Sequence, residues 1–191
     1  MKKNIGTELG ICPTPVVVVG TYDENDKPNL VTLAWAGVCC SEPPSVQVSI
    51  RKSRYTHAAI VARKVFSVNI PSVKHIIETD YVGIVSGKDM DKFDVTKLTP
   101  MRAQMIDAPM VAEFPISMEC RLVHTLSLGS HDMFVGEIVA CWVDDAVLGE
   151  NGKPDPKKVD PLTFTTSGGY FGLGSFIAGS YNVGRKLLDK N

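Results

Sequence analysis

The sequence predicts a mainly β domain with short helices, in the form of a small antiparallel barrel. Three observations carry this. Six or seven strand-like apolar runs follow one another at short spacing over the 191 residues. Clusters of turn formers, such as Asp23–Pro28 and Ser41-Glu42-Pro43-Pro44, separate them. Helical patterns are few and brief, so the strands do not alternate with helices as a parallel sheet requires.

Taken in order, Val16–Val19 is a β-branched run bounded by Pro15 and Gly20, the pattern of a buried strand. Asp23–Pro28 closes a hairpin onto a strand over Leu30–Ala36, which Gly37 and the Ser41–Pro44 segment break. Ser45–Ile50 forms a third strand. A short helix to about Arg63 follows an N-cap at Ser53, with Thr56 at the third helical position. Lys64–Ile70 returns to a period of two, and a second helix runs from Pro71-Ser72 to about Val85. Ser86–Phe93 reads as a polar loop, and the stretch punctuated by Pro100, Pro109 and Pro115 has little regular pattern. Ile116–Thr125 and Met133–Asp144 are the longest strands, with a hairpin end over 126–132. Gly136 marks a bulge or a close backbone approach. Asp145–Asp160 is a surface loop and Leu162–Thr165 a last short strand. Ser167–Gly174 is too glycine-rich for a regular element, and Ser175–Leu188 reads as a helix.

The totals narrow the function. One domain over residues 1–191 is expected, with 20 Lys+Arg against 21 Asp+Glu and a net charge of −1. No global field draws nucleic acid or an anionic membrane, so neither is expected as a partner and any anion site is local. No apolar run reaches the roughly 20 residues a spanning helix needs. The five cysteines, Cys12, Cys39, Cys40, Cys120 and Cys141, are odd in number and lack CxxC spacing. That argues against a disulfide framework or a zinc site and for a reduced, cytoplasmic setting. Cys39 and Cys40 are expected to be buried as small hydrophobes.

The densest chemistry lies at Ser49-Ile50-Arg51-Lys52-Ser53-Arg54-Tyr55-Thr56. This strand-to-helix junction carries three cations and several hydroxyls. The first N–H groups of a helix lack internal partners and the dipole there is positive, which favours an anion such as phosphate. Arginine adds bidentate geometry. A solvated basic turn capping an ordinary helix explains the same residues equally well from composition alone.

Beyond these local signals, Pro13–Thr21, Asn29–Trp35, Ser41-Glu42-Pro43-Pro44 and Ser49–Thr56 together resemble the flavin reductase-like family of FMN-binding split barrels. Ser86-Gly87 with Asp91-Lys92-Phe93, and Ser130–Ile138, fit in order and spacing. Within that family the flavoredoxin type is most similar. The resemblance spans nearly the whole chain and implies an antiparallel, Greek-key split barrel that forms a homodimer with FMN near the subunit interface. It implies a flavoprotein oxidoreductase that accepts electrons from NAD(P)H or a redox protein, or a non-enzymatic carrier between redox proteins. Carried over by position, Thr32, Leu33, Ala34 and Trp35 would border the ring and ribityl chain. Ser49, Ile50, Arg51, Lys52, Ser53 and Thr56 would hold the phosphate, and Ser86, Gly87 and Lys92 would approach from the later loop. Trp35 is larger than the residue found there in relatives that use diffusible flavin, which suggests a wall for a fixed prosthetic group.

Individual roles follow. Lys92 is a candidate for stabilising an anionic reduced ring, with Lys52 competing or serving the phosphate; a solvated loop lysine is the plain alternative. His131, beside Asp132 in a strand-edge loop, is the candidate catalytic residue, although a lone loop histidine is more often structural. His57 and His75 read as surface positions. Cys40 is placed near the flavin, and Phe164 and Tyr170 as aromatic neighbours of the ring. No dinucleotide fingerprint is present, so any nicotinamide must bind over the flavin face.

Overall fold

The computed structural model describes residues 1–10 and 12–190. The described residues include twelve strands: β1 (Thr14–Pro15), β2 (Val17–Tyr22), β3 (Pro28–Leu33), β4 (Ala36–Ser41), β5 (Pro44–Arg51), β6 (Val65–Ile70), β7 (Pro100–Arg102), β8 (Pro109–Val111), β9 (Ile116–Ser127), β10 (His131–Val143), β11 (Thr163–Phe164) and β12 (Tyr170–Phe171). Four α-helices join them: α1 (Tyr55–Arg63), α2 (Ile76–Ile84), α3 (Lys92–Thr96) and α4 (Pro156–Val159).

Seven strands make one antiparallel sheet in the order β3-β2-β6-β9-β10-β5-β4. Its two outermost strands, β3 and β4, are consecutive in sequence and joined by only Ala34 and Trp35. Two residues cannot cross a flat seven-stranded sheet, so the sheet curls until its ends meet. Ser49 N–H then donates to Trp35 C=O at 2.8 Å beside the seam. The result is a split barrel, curled but not closed by a ladder between β3 and β4. Alternate residues of each strand fill its interior: Val17, Val19, Val31, Val46, Val48, Ile50, Phe66, Val68, Cys120 and Phe134, with Ile60 of α1 beneath them. At Gly136 a side chain would overlap Phe66 and Cys120 in this packing, and the β9–β10 register shifts there. The expected close approach and bulge are both present.

A second apolar cluster lies outside the barrel wall. Val18 and Leu30, on the opposite strand faces, pack against Val82 of α2, Phe93, Leu98, Val111 and Phe114. This layer sets α2 and α3 against β3 and fixes the approach of the 85–92 segment to the barrel end.

Several expectations change in detail. The strand over Leu30–Ala36 stops at Leu33, because the chain must leave one sheet edge for the other at Ala34-Trp35. The Gly37 region is strand β4. Asp91 caps α3 by accepting from Asp94 N–H, so the end of the expected polar loop is helical. The proline-punctuated stretch contains the small β7–β8 pair, and a second strand, Tyr170–Phe171, forms within the glycine-rich segment. The C-terminal α-helix is absent: residues 172–179 are irregular and Val183–Lys190 is a 3-10 helix. Cys39 and Cys40 are exposed on β4 rather than buried, because β4 is an edge strand facing outward. No described helix is long and apolar enough to cross a membrane.

Candidate functional site

The barrel seam and the start of α1 meet along one groove. Its inner end is a cavity of about 430 Å³ lined by Arg51, Ser53, Arg54, Tyr55, Thr56, Ser86, Gly87 and Lys92. A smaller hollow of about 200 Å³ continues it past Thr32, Leu33, Ala34 and His131, sharing Arg51 and Arg54. The outer end, about 490 Å³, shares Ala34, Trp35 and Ser49 and is walled by Leu9, Pro13, Pro15 and Met133. Cations therefore line one end and apolar side chains the other.

Local sequence builds the cationic end. β5 runs out at Arg51, and a turn closed by Arg54 N–H donating to Arg51 C=O at 2.9 Å redirects the chain into α1. The N-cap is Arg54, not Ser53, and no side chain caps it. Ser53 falls inside that turn and cannot reach the N-cap geometry. The N–H groups of Tyr55 and Thr56 receive no side-chain cap, and both residues line the cavity. Tyr55 Oη donates to Asp23 at 2.9 Å, tying α1 to the β2–β3 hairpin.

Lys92 enters from α3 and is only 3% exposed. Its ammonium donates to Leu30 C=O at 2.6 Å and Val82 C=O at 2.8 Å, and among the described residues it has no carboxylate partner. Burial, with a smaller push from Arg54, lowers its pKa to about 8. A buried ammonium with two neutral acceptors and one remaining donor is suited to an anion. It lines the Arg51–Arg54 end rather than the hollow beside Trp35.

Asn29, which the sequence reading did not single out as a site residue, sits behind this cavity. Its Nδ2 donates to Thr56 Oγ1 at 2.8 Å, so the Thr56 hydroxyl keeps its own hydrogen to donate elsewhere. Asn29 Oδ1 is buried without a partner. Gly87 packs directly on it: a β-carbon there would overlap Asn29 Oδ1 and come within 2.9 Å of Tyr55 Cδ1. The only signal in the sequence was a polar residue directly before the apolar run that opens at Leu30.

Other expected residues divide. Lys52 turns away, donating to Ser127 Oγ at 2.9 Å and lying 3.4 Å from Asp132. Ile50 is in the barrel core and offers only backbone. Cys40 Sγ donates to Glu42 C=O on the exposed edge and lines none of the three hollows. Thr32 Oγ1 is committed to Thr79 C=O. In the middle hollow the Trp35 and His131 rings lie parallel within 5°, centroids 6.5 Å apart, and Phe164 stands 6.4 Å from Trp35. Burial, then the charge of Arg51, lowers the His131 pKa, favouring the neutral ring near neutrality. Tyr170 Oη donates to Asp80 at 2.8 Å, and its ring packs on Phe164, so β11–β12 is held to α2. His57 is largely covered and bonded to Asp132, and His75 packs on Phe114; neither is a free surface residue.

Comparison with known proteins bears on the family to which this split barrel belongs. Residues 9–174 match the family described as flavin reductase like domain. The chain belongs to that family. Flavoredoxin of Desulfovibrio vulgaris (Miyazaki F) superposes with a TM-score of 0.92 at 43% identity, over 96% of this chain and 100% of that one. Flavoredoxin from Methanosarcina acetivorans does so with 0.92 at 34% identity, over 98% and 99%. A flavin reductase (NADH) from Kitasatospora aureofaciens is 26% identical over 82% of this chain and 74% of its own length. The family's flavin-related redox chemistry is therefore the function class of this protein, and the split-barrel fold expected from sequence is present.

Proposed function

We propose that the protein binds FMN along this groove and passes electrons through it, taking them from NAD(P)H or a protein donor. The observation that carries the reading is Lys92: a buried ammonium facing Arg51 and Arg54, with no carboxylate among the described residues, in a cavity large enough for a phosphate monoester. Arg51, Arg54, Lys92, the open N–H groups of α1 and the Thr56 hydroxyl would hold the phosphate. Ser53, Ser86 and Gly87 would close around it, with Thr32, Leu33, Ala34 and Ser49 along the ribityl chain. Trp35, His131 and Phe164 would flank the ring. FMN supplies a ring that accepts a hydride or single electrons when bound. The protein's part is to position that ring, exclude water along the apolar wall of Leu9, Pro13 and Met133, and hold neutral His131 as a hydrogen-bonding or proton-accepting group.

A carrier role, reduced by another protein and passing electrons on, is favoured specifically by the 43% identity to a flavoredoxin over nearly the full chain. Purified protein with a flavin absorption spectrum, titrated anaerobically with NADH and NADPH, separates the two. Rapid bleaching supports the enzyme, and bleaching only by a ferredoxin-like protein supports the carrier. Colourless protein that takes up no FMN refutes both. We further propose a homodimer. Edge strand β4 with exposed Val38, and the exposed tail residues Phe176, Ile177 and Leu187, support it. Five free cysteines accord with work in the reducing cytoplasm.

A further inference from the structure

Behind the groove, outside its lining, three elements converge on one carboxylate. His57 Nε2, from the first turn of α1, donates to Asp132 Oδ2 at 2.8 Å. Lys52 Nζ lies 3.4 Å from Asp132 Oδ1 and donates to Ser127 Oγ at the end of β9. Asp132 itself is the second residue of β10, opposite Ile50 of β5. The His57 and Asp132 side chains are 15% and 11% exposed, and the His57 ring stands edge-on to buried Phe134 at 5.1 Å. Hydrogen bonding from His57, then Ser127 and Lys52, holds the Asp132 carboxyl below its ordinary range.

The placement of the cluster gives it meaning. Each charged member is the immediate sequence neighbour of a groove residue: Thr56 precedes His57, Arg51 precedes Lys52, and His131 precedes Asp132. His131 is also paired directly opposite Arg51 across β10 and β5. The carboxylate thus ties the helix start that forms the cationic end to the hairpin tip that carries His131.

We propose that Asp132 is a positioning residue that fixes the distance between the phosphate-binding helix start and the His131 hairpin. The proposal rests on the FMN reading above. FMN must satisfy both ends at once, like a two-headed ligand whose gain over either head alone depends on their spacing. Riboflavin engages only the ring end, and inorganic phosphate only the cationic end. The half-exposed Lys52 contributes weakly, and the covered His57 bond is the stronger tie.

The test measures dissociation constants for FMN, riboflavin and inorganic phosphate with wild type and Asp132→Asn, which keeps shape and removes charge. In the variant FMN affinity should fall about tenfold while riboflavin and phosphate each change by less than about twofold. A general loosening would weaken all three alike, and that result overturns the proposal, as does an unchanged FMN affinity. If Asp132→Asn does not fold, His57→Gln carries the test; an unchanged ratio of FMN to riboflavin affinity there overturns it. Wild type binding FMN no better than riboflavin sinks the phosphate site itself and this proposal with it, a failure visible before any variant is made.

Discussion

Replacing Lys92 by Met tests the centre of the site. The ammonium is 3% exposed and bonded to two backbone carbonyls, and its pKa falls from 10.5 to about 8. At about 1.4 kcal/mol per pH unit, holding it charged without an anion costs roughly 3 kcal/mol. Lys92→Met removes that cost but leaves the buried Leu30 and Val82 carbonyls without their donor, at about 1.5 kcal/mol each, which offsets most of the gain. Lys92→Met should therefore change ligand-free stability by no more than about 1 kcal/mol, yet remove a buried contact to phosphate worth about 2–3 kcal/mol, a 30- to 150-fold rise in the FMN Kd. The sign with pH is opposite for the two quantities. Because the folded pKa lies below the unfolded one, the penalty is present in full below pH 8 and is relieved as pH rises toward 10.5, so this group makes the ligand-free protein more stable over that window. FMN binding needs the charged form, so wild-type affinity should be full below pH 8 and fall as pH rises through it, by roughly tenfold or more at pH 9.5. A phosphate monoester is already a dianion above about pH 7 and adds no slope there. Quenching of flavin fluorescence from pH 7 to 9.5 gives both Kd profiles. A flat wild-type profile, or the same slope in Lys92→Met, refutes the reasoning.

Three further outcomes are expected. Arg51→Met and Arg54→Met should each weaken FMN binding by about 1–2 kcal/mol, while Lys52→Met, an exposed ion pair turned away from the cavity, should shift it by under about 0.5 kcal/mol in the same titration. Gly87→Ala must push the 86–87 loop off Asn29 and Tyr55, so FMN affinity should fall about tenfold with the far-UV circular dichroism unchanged. Glu119, fully buried, accepts from the N–H groups of Gln104, Met105 and Ile106 and from Trp142 Nε1 at 2.6–3.0 Å. Glu119→Gln turns one acceptor into a donor facing those donors and should lower unfolding stability by about 3 kcal/mol in urea denaturation, leaving flavin binding intact.

What the sequence revealed follows from what each signal depends on. The barrel strands were legible because apolar runs and a period of two are local: Val17–Tyr22 overlaps the β-branched run Val16–Val19, Val65–Ile70 the alternation over Lys64–Ile70, and the β9–β10 pair the two longest expected strands. The basic junction was legible because Arg51, Arg54 and Thr56 are adjacent in the chain. Direction was not. Whether Lys52 faces the phosphate or the opposite hairpin depends on Asp132, 80 residues away in sequence, and whether Lys92 is a solvated loop lysine depends on the carbonyls of Leu30 and Val82. Cys39 and Cys40 read as core because they are apolar, but burial is decided by which strand ends the sheet, and β4 does. Asn29 escaped notice because its partners, Thr56 and Gly87, come from two other segments.

The charge layout links the proposed anion site to the fold. The protein as a whole is nearly neutral, at −1, yet Arg51, Arg54 and Lys92 share one cavity without a carboxylate paired to any of them among the described residues. The cation that sequence alone would add to this group, Lys52, is the one neutralised, by Asp132. Mutual repulsion shows in Lys92, whose pKa Arg54 helps to lower. An arrangement of this kind is unfavourable by itself and persists because Lys92 is buried and bonded to the Leu30 and Val82 carbonyls. A bound dianion removes that repulsion, so its binding energy is returned as folding stability in proportion to RT ln(1 + [L]/Kd). Affinity for the phosphate and resistance to unfolding are therefore two readings of the same cation cluster.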